Sequence, residues 1–206
     1  MRSNMHYFYN KKKTSHICIW GSILLFLCIY IKIIINVNQN SYSPEIVTHK
    51  INEEVQLTGD YFFNEAENLS GYTIKINGTE LLTVEEFKKI YKLPETEDTN
   101  FADYIYLIKV SFKNISGKDD GSEGLIIDNY MLQHISYMNY IDINLFTIIN
   151  NLNSPAFYLN RGVTRDFILP FTVNKTYINE EEFKDNDTSI IISLYPHKNV
   201  IYLNKE

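Results

Sequence analysis

The sequence predicts a mainly β domain, a sandwich or a barrel with one short helix, behind a single N-terminal transmembrane helix. Three observations carry this. Residues 17–35 read ICIWGSILLFLCIYIKIII, 19 residues with Lys32 as the one charge. Period-2 alternation of apolar and polar residues dominates the chain beyond that run. Gly- and Asn-containing turn signals separate the alternating stretches.

The apolar run matches the roughly 20 residues that a helix needs to cross a bilayer core. Arg2, Lys11, Lys12 and Lys13 precede it, and only Lys50 follows closely. The basic flank stays inside, so the expected topology is a cytoplasmic tail (1–16), a span (17–35), a tether (36–50) and an extracytoplasmic β domain (51–206). Lys32 near the end of the span reaches the headgroups by snorkelling. A cleaved signal peptide is the main competitor. Its apolar region is usually about 7–15 residues and ends in small residues. Asn36-Val37-Asn38-Gln39-Asn40 offers no A-x-A pattern, which favours an uncleaved signal anchor. A lipid-modified Cys28 is disfavoured by the bulky Phe26-Leu27 before it.

Charge divides at the span. Residues 1–36 hold five of the 19 basic residues and none of the 25 acidic ones, leaving 14 basic against 25 acidic beyond it, a net of −11. That balance argues against nucleic acid and against flat adhesion to anionic lipid. Cys18 and Cys28 both lie in the span, so the external part has neither a disulfide scaffold nor a thiolate zinc site. About 160 external residues suffice for one ordinary hydrophobic core.

In chain order, Tyr72, Ile74 and Ile76 alternate with Thr73, Lys75 and Asn77 in a first strong strand. Asn77-Gly78 reads as the turn after it. Thr83-Val84-Glu85-Glu86-Phe87 spells a capping box, with Leu82 and Phe87 placed as a hydrophobic staple; the helix stops before Pro94. Tyr104, Tyr106, Ile108, Val110 and Phe112 form the apolar face of a second strand, and the loop Gly117–Gly124 comes after it. Phe167, Leu169, Phe171 and Val173 form a third, in which Pro170 points to an edge or a bulge; Asn160-Arg161-Gly162 is the turn before it. Ile190, Ile192 and Leu194 form a fourth. Weaker strand candidates are Glu54–Leu57, Leu125–Leu132, Asp142–Ile149 and Val200–Leu203. Ile178–Phe183 repeats the helix-start grammar in shorter form.

Signals of chemistry are sparse. Glu180-Glu181-Glu182 suits the first turn of a helix better than a metal site. Asp119-Asp120-Gly121-Ser122-Glu123 lacks the spacing of a calcium loop and reads as a solvated hairpin loop. The external histidines, His49, His134 and His197, are far apart, with no H-x-x-x-H or H-E-x-x-H pair. There is no G-x-S-x-G, G-x-G-x-x-G or P-loop, and triads assemble from distant residues, so spacing does not decide on Ser-His-Asp catalysis. Sequons stand at Asn68, Asn77, Asn114, Asn174 and Asn186, little above chance for so Asn-rich a chain. The expectation is no catalytic residue, no cofactor and no metal. Tyr130, Tyr137 and Tyr140 are the candidate partner-binding residues, because tyrosine gives large contact area at low entropy cost.

Val55-Gln56-Leu57, Asp60-Tyr61-Phe62, Gly71-Tyr72-Thr73-Ile74 and Glu80-Leu81-Leu82-Thr83 together resemble a domain-of-unknown-function family of small membrane-anchored proteins from Gram-positive bacteria. Leu107–Ser116, and Leu159–Thr164 with Phe167–Phe171, resemble the telokin-type immunoglobulin-like modules of secreted bacterial proteins. The resemblance implies an immunoglobulin-like β-sandwich and brings no catalytic residue. The expected function is non-enzymatic binding or accessory work at the cell surface, with a protein partner met at the edge near Pro170 or through the tyrosines. A subunit of a membrane transporter or secretion complex is the alternative, and an extracytoplasmic hydrolase the third reading; the latter needs a pocket of convergent titratable groups.

Overall fold

A computed structural model describes residues 3–40, 43–65, 70–95, 99, 102–116, 124–176 and 188–203. The chain divides into two compact units, Met1–Ser43 and Pro44–Glu206.

The first unit is helix α1, Ser3–Asn40. Its apolar stretch runs from Trp20 to Gln39, and none of it is buried against protein. The residues read as a tether, 36–50, are not one. Asn36–Asn40 continue the helix, since extending a helix is far easier than starting one. Glu45–Lys50 form strand β1.

The second unit is mainly β, as the alternation predicts. β2 (Glu54–Leu57), β3 (Tyr72–Thr83), β4 (Tyr104–Asn114) and β9 (Thr164–Val173) form an antiparallel sheet in the order β2-β3-β4-β9. The second sheet is β1-β11-β10-β6-β7, built with β6 (Met131–Gln133), β7 (Met138–Tyr140), β10 (Ser189–Ile191) and β11 (His197–Tyr202). Here β1 runs parallel to β11, pairing Glu45 with His197 and Lys50 with Tyr202. A small pair, β5 (Leu125–Ile126) and β8 (Ala156–Phe157), completes the set.

One core fills the space between the large sheets. Ile74, Ile108, Val110 and Phe112 from one sheet and Leu132, Ile190 and Ile201 from the other belong to it. Phe157 stacks on Phe167 at 4.3 Å, and Phe112 meets both edge-on. A second cluster joins Leu82, Ile105 and Leu107 to helices α2 (Val84–Tyr91) and α3 (Ile143–Ile149) through Phe87 and Leu145. β4 is thus buried on both faces from Ile105 to Ile108. Each such side chain contributes roughly 1.5–3 kcal/mol.

The capping box forms as expected. Thr83 Oγ1 accepts the Glu86 N–H at 3.2 Å, and the Thr83 N–H donates to Glu86 Oε2 at 3.0 Å. Leu82 and Phe87 close the staple within one cluster. Lys92 ends α2 in the left-handed conformation.

Three further sequence expectations change. Asn77-Gly78 is a bulge inside β3, where the register with β4 shifts, and Asn77 Nδ2 donates to Ser111 Oγ. Asp142–Ile149 is a capped helix: Asp142 Oδ1 accepts the Leu145 N–H at 3.0 Å. Its β-branched residues favour strand locally, but the helix buries Leu145 and Phe146 completely, and burial outweighs propensity. The domain therefore holds two described helices, not one. Leu125–Leu132 breaks into β5 and β6 at the Asp128-Asn129 turn. Pro170 does mark an edge, since among the described residues β9 has β4 as its sole ladder partner. The acidic loop 119–123, Ile178–Phe183 with its three glutamates, and sequons Asn68 and Asn186 lie outside the described residues.

Candidate functional site

A sandwich has two open sides. One lies between edge strands β7 and β9, where Asn139 Nδ2 ties across to Thr172 O at 2.8 Å. The other lies between edge strands β1 and β2, and it holds a cleft of about 560 Å³. Asn52, at φ 69°, turns the chain from one of these strands to the other and gives the Ile76 carbonyl its N–H at 2.9 Å. Strand alternation sends Glu45, Val47 and His49 of β1, with Gln56 and Thr58 from the β2 side, into the cleft.

The floor is a polar network around Asp60, a buried carboxylate. Thr58 Oγ1 donates to its Oδ2 at 2.6 Å and Asn199 Nδ2 at 2.8 Å. His197 Nδ1 lies 2.9 Å from its Oδ1, and the His197 N–H donates to the same oxygen at 3.3 Å. Burial alone pushes the Asp60 carboxyl up. The hydrogen bonds from Thr58, His197 and Asn199 outweigh it and hold the group below its ordinary value. Asn199 Nδ2 also donates to Ser193 Oγ at 2.8 Å, which fixes the amide and turns its Oδ1 toward His49 Nε2 at 3.2 Å. His49 Nδ1 meets Glu53 Oε1 at 3.2 Å. Backbone hydrogen bonding from Lys50, then His49, lowers Glu53.

Chemically, this network anchors more than it activates. Asp60 has a full set of donors. The two nearby hydroxyls are engaged, Thr58 on Asp60 and Ser193 Oγ on the His197 carbonyl at 2.9 Å. The His197 ring is half exposed, with Nδ1 held and Nε2 as its remaining nitrogen. Glu45 and Gln56 add an exposed carboxylate and an amide. The set offers hydrogen bonds to a ligand, without a poised nucleophile. Among the described residues, no three His, Cys, Asp or Glu side chains group as metal ligands.

The three tyrosines do not form one surface patch. Tyr130 is wholly buried in the main core between Phe62 and Phe112, so it offers no contact area. Tyr137 is half-buried, and burial pushes its phenol upward. It lines a hollow of about 500 Å³ beside Met138 and Thr172. Tyr140 is exposed on β7. The edge at Pro170 is closed too: its carbonyl accepts the Asp142 N–H at 2.9 Å. His134 is buried in the β6–β7 hairpin, its Nδ1 3.1 Å from Ser136 Oγ. His49 and His197 are thus the two histidines of the β unit that converge on the cleft. Nothing in the sequence marked Asp60, Ser193 and Asn199 as parts of one site, because Asp60 and Asn199 stand 139 residues apart.

Residues 46–199 match the family model DUF5028, a domain of unknown function. The chain belongs to this family. The DUF5028 match runs from Ile46, the second residue of β1, to the middle of β11, and takes in most of the cleft. No curated protein matches the chain. Among solved structures, the yjhA protein from Bacillus subtilis aligns over 76% of this chain and 99% of its own, at 9% identity and a TM-score of 0.44. None of these matches supports the telokin-type likeness.

Proposed function

We propose that the protein is a single-pass membrane protein, N-terminus inside, whose β domain works outside the membrane as a non-enzymatic binding or accessory module. The observation that carries this reading is the apolar surface of α1. Trp20, Leu24 and Phe26 are 70, 64 and 71% exposed, and a helix of this length and composition is at rest in lipid rather than in water. The basic residues Lys11–Lys13 favour the inside for the preceding tail. The cleft between β1 and β2 supports binding over catalysis, since its hydroxyls are engaged and its buried carboxylate, Asp60, already accepts from Thr58, His197 and Asn199.

Topology mapping tests it. In a background with Cys18 and Cys28 replaced by serine, Ser43→Cys is expected to react with a membrane-impermeant maleimide on intact cells. Thr14→Cys is expected to react only after lysis. Equal labelling of both, or recovery of the protein in the soluble fraction, would overturn the reading.

A further inference from the structure

The cleft between β1 and β2 has more acceptors than donors left over. Inside its polar network the partners answer one another. Thr58 and Asn199 donate to Asp60, Ser193 Oγ donates to the His197 carbonyl, and both His49 ring nitrogens are taken, by Glu53 and Asn199. Three groups on the lining stay open. His197 Nε2, the Glu45 carboxylate and the Gln56 amide have no hydrogen-bond partner among the described residues.

Asp60 sets His197 as an acceptor. A carboxylate oxygen can only accept, and Asp60 Oδ1 lies 2.9 Å from Nδ1. The neutral imidazole therefore carries its proton on Nδ1 and keeps a lone pair on Nε2. Glu45 is the ladder partner of His197 on the neighbouring strand. The two side chains leave the sheet on the same face, about 5 Å apart at the backbone. One small donor group between them reaches both at ordinary hydrogen-bond length. Charge in the cleft is one-sided. Asp60 and Glu45 line it, Glu53 stands behind His49, and neither Lys nor Arg is on the lining. Val47 and Pro196 add an apolar wall.

We infer that the cleft takes a primary ammonium on a short alkyl chain, its N–H groups on His197 Nε2, Glu45 and the Gln56 carbonyl and its methylenes along Val47 and Pro196. An ammonium has three donors and no acceptor, which matches the three open groups in number and in sign. A bound metal ion asks for a third ligand, and among the described residues no third His, Cys, Asp or Glu joins the pair. A quaternary ammonium brings the charge without the donors, and an anion meets the carboxylates as repulsion. The cleft, at about 560 Å³, has room for a lysine side chain or a five-carbon diamine. This inference rests on the binding reading above and names the ligand class of that site.

Titration of the full-length protein in detergent, with isotope-labelled histidine, tests it. The buffer is mildly alkaline, where imidazoles are ordinarily neutral and alkylamines charged. Pentylamine, cadaverine and Nα-acetyl-lysinamide are expected to shift the His197 ring signals and to saturate. Pentyltrimethylammonium, pentanol and glutarate are expected to bind at least about tenfold more weakly. Glu45→Gln, at an exposed position, is expected to weaken pentylamine about tenfold with an unchanged urea midpoint. Tighter binding of Nα-acetyl-lysinamide would assign a lysine side chain as the source of the ammonium, and tighter binding of cadaverine a free amine. No saturable shift with any amine, equal binding of pentyltrimethylammonium, or no loss in Glu45→Gln would overturn the inference. Saturation by pentanol or glutarate alone would overturn the ammonium class and leave a binding cleft. Impermeant labelling of Ser43→Cys reads the topology independently, so the two failures are separable.

Discussion

Asn150 meets Ile168 twice: its Oδ1 accepts the Ile168 N–H at 2.9 Å and its Nδ2 donates to the Ile168 carbonyl at 2.8 Å. A side-chain amide here stands in for a neighbouring strand. Asn150 is also the C-cap of α3, where Nδ2 meets Phe146 O at 2.8 Å. One residue thereby ends a helix and seals a sheet edge. Asn150→Ala leaves two part-buried backbone groups of Ile168 unmet, at about 1–3 kcal/mol each where water cannot reach them. The expected outcome is a lower urea midpoint for the full-length protein in detergent, with faster aggregation through the opened β9 edge. Asn150→Asp keeps the acceptor for the Ile168 N–H but sets a carboxylate oxygen against the Phe146 and Ile168 carbonyls, so it should not restore the wild-type midpoint.

Asp60 predicts a pH dependence with a definite sign. Its folded value lies below the ordinary carboxylate range despite burial, because Thr58, His197 and Asn199 donate to it. A depressed carboxyl adds stability above its unfolded value of about 3.9 and loses it as pH falls through the folded value. The stability that Asp60 supplies is therefore expected to be complete at neutral pH and to fade below about pH 4. Asp60→Asn loses the charge in these hydrogen bonds, each worth about 1.5–3 kcal/mol at most. The gap between wild type and Asp60→Asn, tracked by denaturant melts from pH 7 to pH 3, should shrink on acidification. A constant gap would assign the network no charge component.

Tyr130 makes the opposite case. Its hydroxyl is buried in the main core and finds no hydrogen-bond partner among the described residues. Burial pushes the phenol upward, so the group is neutral throughout the working range. A buried polar group without a partner is destabilising. Tyr130→Phe is expected to leave the melting temperature unchanged or raise it, by up to about 1 kcal/mol of stability. Tyr130→Ala should cost about 3–5 kcal/mol, because Phe62 and Phe112 lose the ring between them. A clear loss in Tyr130→Phe would reveal a partner for the hydroxyl.

These residues also mark what a linear reading reaches. Alternation located β3, β4 and β9 because each buries one face against the same core, and a face reads out with period 2. Thr83 and Glu86 announced α2 because a capping box is local. α3 was hidden: Ile143, Ile148 and Ile149 favour strand, and what makes it a helix is the distant pairing of Leu145 and Phe146 with two clusters. The same holds for β1, whose strand character comes from a parallel ladder with β11 about 150 residues away. The cleft inherits this limit. His49, Asp60, His197 and Asn199 meet only once both sheets exist, so no spacing in the chain foretells them.

Gly71 gives the most local of the predictions. Its φ of +92° lies where side chains are rarely tolerated, and a Cβ built on it would stand 2.8 Å from Ser116 Cβ. The Gly71 carbonyl accepts the Ile115 N–H at 2.8 Å, so this approach is what closes β3 onto the end of β4. Gly71→Ala therefore combines a conformational cost of about 1–2 kcal/mol with an overpacking cost of about 1–3 kcal/mol. The two separate in a double-mutant cycle with Ser116→Gly, which removes the opposing Cβ and leaves φ unchanged. Ser116→Gly alone forfeits the hydrogen bond from Ser116 Oγ to Asn114 Oδ1, and the cycle subtracts that loss. A positive coupling of about 1–3 kcal/mol in urea melts is expected, with the conformational part persisting in the double variant. Zero coupling would mean that the backbone angle alone makes glycine necessary at this position.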